Sequence, residues 1–197
     1  SQTQANSDSL TGLMTRRSLE AQVRDLHATG TAYAVAYGDL DHFKRLNDIF
    51  GHATGDRALR TFSQVLRDSL RPADIPGRYG GEEFVIILPE CPLDEARQVL
   101  ERVRERMAER IVMAQLPSFT VSFGLAASGQ GGDFDQVVSL ADAALLRAKA
   151  GGRDQVVTSE GSDQTAMGPA DEGLRMDPRA HGNGDLGDIV PRQPQHS

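Results

Sequence analysis

The 197-residue chain contains one cysteine, no tryptophan and only two lysines. The lone Cys91 excludes an internal disulfide framework and any cysteine-built zinc site. No apolar run approaches the roughly 18 residues of a membrane helix, and no signal-peptide pattern opens the chain. Basic charge is scarce as well: 21 Lys+Arg stand against 28 Asp+Glu, a formal net charge of −7. That balance argues against a protein that coats DNA or lies on an anionic membrane, since both require a basic field. What remains is an ordinary globular composition, 39% hydrophobic, in enough chain for one α/β domain but not for two large ones. The scarcity of lysine leaves Lys44 and Lys149 isolated in a chain whose other basic residues are all arginine.

Residues 158–197 carry seven acids against three arginines, with six glycines, four prolines and no aromatic residue. Such a stretch buries too little apolar surface to offset chain entropy, so it is expected to be a disordered tail. Residues 1–157 are then the folded body. Residues 1–9 are polar and begin without Met, as expected of a piece of a longer protein.

Periodicity divides the body. Thr15 is placed to cap a helix over 15–27, with Leu19, Val23 and Leu26 on one face. Residues 31–39 read as a buried strand, 41–50 as a short helix, 51–55 as a glycine-bounded loop and 56–70 as a longer helix. A hairpin follows, its arms near 75–79 and 85–88, turning at Gly80 and Gly81. Helices are expected over 93–113 and 134–150, a strand over 119–126, and a last edge strand over 155–157. This order implies an α+β fold: a central, mostly antiparallel sheet flanked by helices.

Two segments concentrate chemistry. In Gly38-Asp39-Leu40-Asp41-His42-Phe43-Lys44, an apolar strand ends in carboxylates two residues apart, which share a face if the strand runs through both. Asp41 alone reads equally well as a helix N-cap. In Arg78-Tyr79-Gly80-Gly81-Glu82-Glu83-Phe84, two glycines let a ligand approach the backbone. The adjacent acids there repel unless a cation lies between them. By itself that segment reads more readily as a solvated, charged hairpin than as a site. With Asp39, however, it forms a hard oxygen-donor set suited to Mg²⁺ and phosphate oxygens.

These blocks carry a resemblance. Asp8-x-Leu10-Thr11-Gly12-Leu13-x-x-Arg16-Arg17, the Asp39–Asp56 block (Asp39, Asp41, Phe43, Lys44, Asn47, Asp48, Phe50, Gly51, His52, Gly55, Asp56) and Arg78-Tyr-Gly-Gly-Glu-Glu-Phe84 resemble the GGDEF domain of diguanylate cyclases, in its GGEEF form. Ser122-Phe-Gly124 and Ala141-Asp142-x-Ala144-Leu145-x-x-Ala148-Lys149-x-x-Gly152-Arg153 continue it. Thr15, Leu19 and His42 depart from the usual pattern without touching its chemistry.

The resemblance implies a ferredoxin-like, nucleotidyl-cyclase palm fold and a bacterial second-messenger enzyme that condenses two GTP into cyclic di-GMP and pyrophosphate. It implies two Mg²⁺ (or Mn²⁺) ions per half-site, held by Asp39, the carbonyl of Leu40, Glu82 and Glu83. Glu82 would assist deprotonation of the attacking hydroxyl, with Glu83 and Lys44 also in the catalytic set. Asn47 and Asp56 would read guanine, because a carboxylate accepts from the guanine edge as it cannot from adenine. Lys44, Lys149 and Arg153 would neutralise the triphosphate, with backbone N–H groups around His42 and Phe43; His52 would shape the base pocket. Arg71 and Asp74, in an R-x-x-D motif ahead of the Gly80-Gly81 turn, would bind inhibitory cyclic di-GMP, with Arg102 as a secondary contact. Catalysis would need an antiparallel homodimer, no DNA and no membrane contact. The domain would face the cytoplasm, driven by a sensory domain upstream. The alternative is a non-catalytic module that senses GTP or cyclic di-GMP.

Overall fold

Alternation along β2 (Tyr33–Leu40) sets the layers. All eight of its residues are buried, which places the strand mid-sheet with helices on both sides. Ala34, Ala36 and Leu40 face the larger half of the core, with Leu59, Phe62 and Leu66 of α3 (His52–Ser69) and Leu100, Val103 and Met107 of α4 (Leu93–Met113). Tyr33, Val35 and Tyr37 face the other half, with Leu19 and Val23 of α1 (Arg16–Ala28) and Val137, Ala141 and Leu145 of α5 (Phe134–Ala150). The computed structural model describes residues 6–130 and 132–159.

The remaining strands are β1 (Met14–Thr15), β3 (Ile75–Gly80), β4 (Glu83–Pro89), β5 (Val121–Ala127) and β6 (Val156–Thr158), in the sheet order β1-β3-β4-β2-β5-β6. The four central strands pair antiparallel. The edge pairs, β1 with β3 and β6 with β5, are parallel, so the sheet is mixed. The central order 3-4-2-5 is the expected ferredoxin-like, split β-α-β arrangement.

Side-chain caps open α1 and α5. Thr15 caps α1, its hydroxyl accepting from the Ser18 N–H at 3.3 Å, and Asp133 caps α5 in a reciprocal box with Gln136. The structure shifts several strand bounds by one to two residues and corrects the sequence reading more substantially elsewhere. Helix α3 starts at His52, not 56, so the expected loop shrinks to Gly51, which ends α2 (Phe43–Phe50) and begins α3 at φ +91°. Only glycine takes that conformation without strain. Gly55 lies inside α3 because a Cβ there would overlap the Asn47 side chain. Helix α2 starts at Phe43 rather than 41, since His42 is left-handed at φ 56°. Strand β1, two residues long, is too short to show a period. The folded body also extends past 157: Thr158 closes β6, and Ser159 is buried with its N–H on the Leu125 carbonyl at 2.7 Å. The rest of the expected tail, 160–197, lies outside the described residues.

Candidate active site

Strand register brings the acids together. Asp39 lies opposite Glu83 on β4 and opposite Ser122 on β5. The Leu40 N–H donates to the Glu82 carbonyl at 3.3 Å, tying the β3–β4 turn to the end of β2. Asp39 is buried, and Lys149, at the C-terminal end of α5, forms an ion pair with its carboxylate. Burial pushes the Asp39 carboxyl above the usual range; Lys149 opposes that, while the charges of Glu82 and Glu83 add to it. All three acids and Lys149 therefore share one field. Glu83 also accepts from the Tyr37 hydroxyl at 3.1 Å, whose pKa rises through burial and then through the Glu83 charge.

Among the described residues, no three carboxylate, imidazole or thiolate side chains close around a common point. Lys149 instead neutralises Asp39 directly. The donor chemistry still fits a hard divalent cation: carboxylates at 39, 82 and 83 beside the backbone of Leu40, with each acid raising the cost of ionising Asp39.

The turn carrying Glu82 is braced from outside. Arg78 donates to the Gly81 carbonyl through Nε at 3.0 Å and Nη2 at 2.8 Å, and through Nη1 to Asp8 at 3.0 Å. Asp8 also accepts from the N–H and hydroxyl of Thr11, at 2.8 and 2.7 Å. Burial alone would raise the Asp8 carboxyl; the Thr11 hydrogen bonds and Arg78 hold it below the usual value. The Asp8–Leu13 block and Arg78, read from sequence only as pattern, thus fix the hairpin tip.

The residues expected to meet a nucleotide lie on α2, on α3 and in the turn after α5. Asn47 on α2 packs against Gly55, the residue before Asp56 on α3, and its Oδ1 is buried with no hydrogen-bond partner. An orphaned acceptor at a helix junction is what an incoming donor would satisfy. His42 and Lys44 are exposed at the start of α2, Phe43 is half-buried, and His52 is exposed as the first residue of α3. Arg153 follows α5 in a left-handed conformation, its N–H on the Ala148 carbonyl at 2.9 Å.

Asp41 is neither a cap nor a companion of Asp39. It turns inward, 3% exposed, and accepts from the hydroxyls of Thr120 and Ser122, both at 2.7 Å, and from the Asp154 N–H at 3.1 Å. Its partners lie about 80 and 113 residues away in sequence, so no local signal could have shown them.

The R-x-x-D motif is a tight unit. Asp74 accepts from the Arg71 N–H at 2.8 Å and from its guanidinium at 2.7 Å, while Arg71 also donates to the Pro89 carbonyl at 2.9 Å. The Asp74 side chain has no exposed surface, whereas that of Arg71 is 40% exposed. In this arrangement Asp74 holds Arg71, and Arg71 is the member of the pair that faces solvent. Arg102 is exposed on α4.

No helix among the described residues is long and apolar enough to cross a membrane. Residues 5–155 match the family described as diguanylate cyclase, GGDEF domain. The chain is 42% identical over 158 residues to the diguanylate cyclase DgcP of Pseudomonas aeruginosa, covering 77% of this chain and 24% of DgcP. It is 37% identical over 160 residues to the diguanylate cyclase DgcM of Escherichia coli, covering 79% of this chain and 38% of DgcM. It therefore spans only a minor part of the length of either relative. Among solved structures, the GGDEF domain of DgcB from Caulobacter crescentus, in complex with c-di-GMP, superposes with a TM-score of 0.73 at 33% identity, over 81% of this chain and 99% of that one. With the acid-bearing hairpin, the split β-α-β sheet and these matches in agreement, the chain belongs to the GGDEF family of diguanylate cyclase domains.

Proposed function

We propose that this domain condenses two GTP into cyclic di-GMP, releasing one pyrophosphate in each of two steps. The observation that carries the reading is the register of β2 and β4, which sets Asp39, Glu82 and Glu83 at one sheet end beside Lys149. In each step the 3′-oxygen of one GTP bonds to the α-phosphorus of the other, and the bond from that phosphorus to the pyrophosphate oxygen breaks. Glu82 takes the hydroxyl proton. Lys149, already beside the acids, moves from Asp39 to the triphosphate, with Lys44 and Arg153 neutralising the rest of its charge. Asn47 and Asp56 select guanine, the orphaned Oδ1 of Asn47 accepting from it. Bound Mg²⁺ or Mn²⁺, two ions per half-site on Asp39, the Leu40 carbonyl, Glu82 and Glu83, would supply charge neutralisation and a more acidic attacking hydroxyl.

Each domain holds one GTP, so the two reacting groups meet only when two copies face each other antiparallel. Orienting them is the domain pair's main contribution. Such a domain works in the cytoplasm, where GTP is, and takes its input from a sensory domain upstream. The test is incubation with GTP or with ATP in the presence of Mg²⁺. Cyclic di-GMP and pyrophosphate are expected from GTP alone, and turnover of ATP at a similar rate would overturn the guanine assignment.

Product inhibition belongs to the same reading. The exposed face of Arg71, held by Asp74 and Pro89, offers a fixed guanidinium to a guanine edge or a phosphate, with Arg102 as the expected secondary contact. A charged hydrogen bond is worth about 1.5–3 kcal/mol. Arg71→Ala is therefore expected to raise the cyclic di-GMP concentration for half-inhibition by roughly tenfold or more, and an unchanged inhibition curve would remove the site.

A further inference from the structure

We propose that Asp41 is a positioning residue for the substrate triphosphate: its carboxylate anchors the turn after α5 that carries Arg153 and orders the end of α5 at Lys149. The proposal rests on the reading that Lys149 and Arg153 meet the triphosphate. Asp41 itself is 3% exposed and touches no substrate.

The turn needs such an anchor. Gly152, Arg153 and Asp154 are successively left-handed, at φ +112°, 65° and 49°. The first suits glycine, but the next two are L-residues with a side chain crowding the backbone, so the local sequence alone does not favour the turn. Asp154 holds it from two sides. Its N–H is shared between Asp41 Oδ2 at 3.1 Å and Ser122 Oγ at 3.0 Å. On the outer side, Arg104 of α4 donates to its carboxylate at 2.5 Å and also to its carbonyl.

Asp41 is buried deeply enough that its charge is tolerable only if its oxygens are met. Two hydroxyls from the start of β5 and the Asp154 amide meet them. The carboxylate thus ties together three separate segments: the end of β2, the start of β5 and the turn after α5. The metal-side acid, Asp39, and the anchor of the phosphate-side residues lie two positions apart on one strand end. Displacement of the turn relative to Asp39 would misplace Arg153 and Lys149 together and leave the guanine-reading pair on α2 and α3 where it is.

The experiment compares binding of GTP and of guanosine to the whole chain by calorimetry, for the wild type, Asp41→Ala, Asp41→Asn and Arg104→Met. Asp41→Ala is expected to weaken GTP about tenfold and leave guanosine within twofold, with KM for GTP rising accordingly. Asp41→Asn can turn its oxygen toward the Asp154 N–H and its amide toward Ser122 Oγ, so it should recover most of the loss. Arg104→Met loosens Asp154 from outside the core and should show the same selective loss even if Asp41→Ala does not fold. Faster exchange of the Asp154 amide should accompany both. Equal loss of GTP and guanosine, or no loss in folded variants, would overturn the proposal. A selective loss in a chain that makes no cyclic di-GMP would instead overturn the proposed function and leave the positioning role standing.

Discussion

Glu82→Gln is expected to lower the rate of cyclic di-GMP formation by about three orders of magnitude without unfolding the domain. The size follows from removing one preorganised charge at the reacting centre, for which losses of roughly 10²–10³ in rate are typical, with loss of the proton acceptor in addition. The fold should survive because what Glu82 gives the structure is its backbone carbonyl, which accepts from the Leu40 N–H. Its side chain stands half-buried at a turn already fixed by Arg78. Product chromatography together with a melting curve separates the two effects. Undiminished product from the variant would sink the assignment of Glu82, and a collapsed melting transition would show a structural role that the hairpin geometry does not indicate.

Gly124→Val should act in the opposite manner, through the fold. Gly124 lies on β5 directly beneath α5, and a Cβ there would overlap the Ala141 carbonyl and the Leu145 amide. These are backbone atoms of a packed helix and cannot swing aside as a side-chain tip could. Forced overpacking typically costs about 1–3 kcal/mol, and more when backbone must move, against a total stability of about 5–15 kcal/mol. A fall in Tm of about 10 °C is expected, with Lys149 carried away from Asp39 as α5 lifts. Gly129→Ala, at a position with open space around it, is the control and should melt like the wild type. Equal Tm values for the two variants would contradict the packing account.

The layers were legible in sequence wherever periodicity was long enough to read. The apolar run of 31–39 reads as a buried strand and appears as β2, and helices expected over 93–113 and 134–150 appear with those bounds. Glycine misled in one direction: Gly55 reads as a breaker, yet it serves the approach of Asn47 within a helix. Asp39, Glu82 and Glu83 stood out in sequence because like charges at a strand end repel, and the strand register does bring them to one sheet end. Lysine scarcity singled out Lys44 and Lys149; in the structure Lys44 is exposed and Lys149 is paired with Asp39. What could not be read was long-range polar pairing. Asp41 looks like a cap until Thr120, Ser122 and Asp154 are folded onto it. The chemistry of Asp41 is visible in the sequence, whereas its direction depends on partners brought in from elsewhere in the chain.

The most direct test of the central claim is the initial rate of product formation from GTP and Mg²⁺, followed by chromatography over a wide range of protein concentration. Two half-sites that must face each other predict cyclic di-GMP with two pyrophosphates per molecule, at a rate that climbs with the square of protein concentration while dimers are scarce. Formation of no cyclic di-GMP at any concentration by a folded domain that binds GTP would contradict the account.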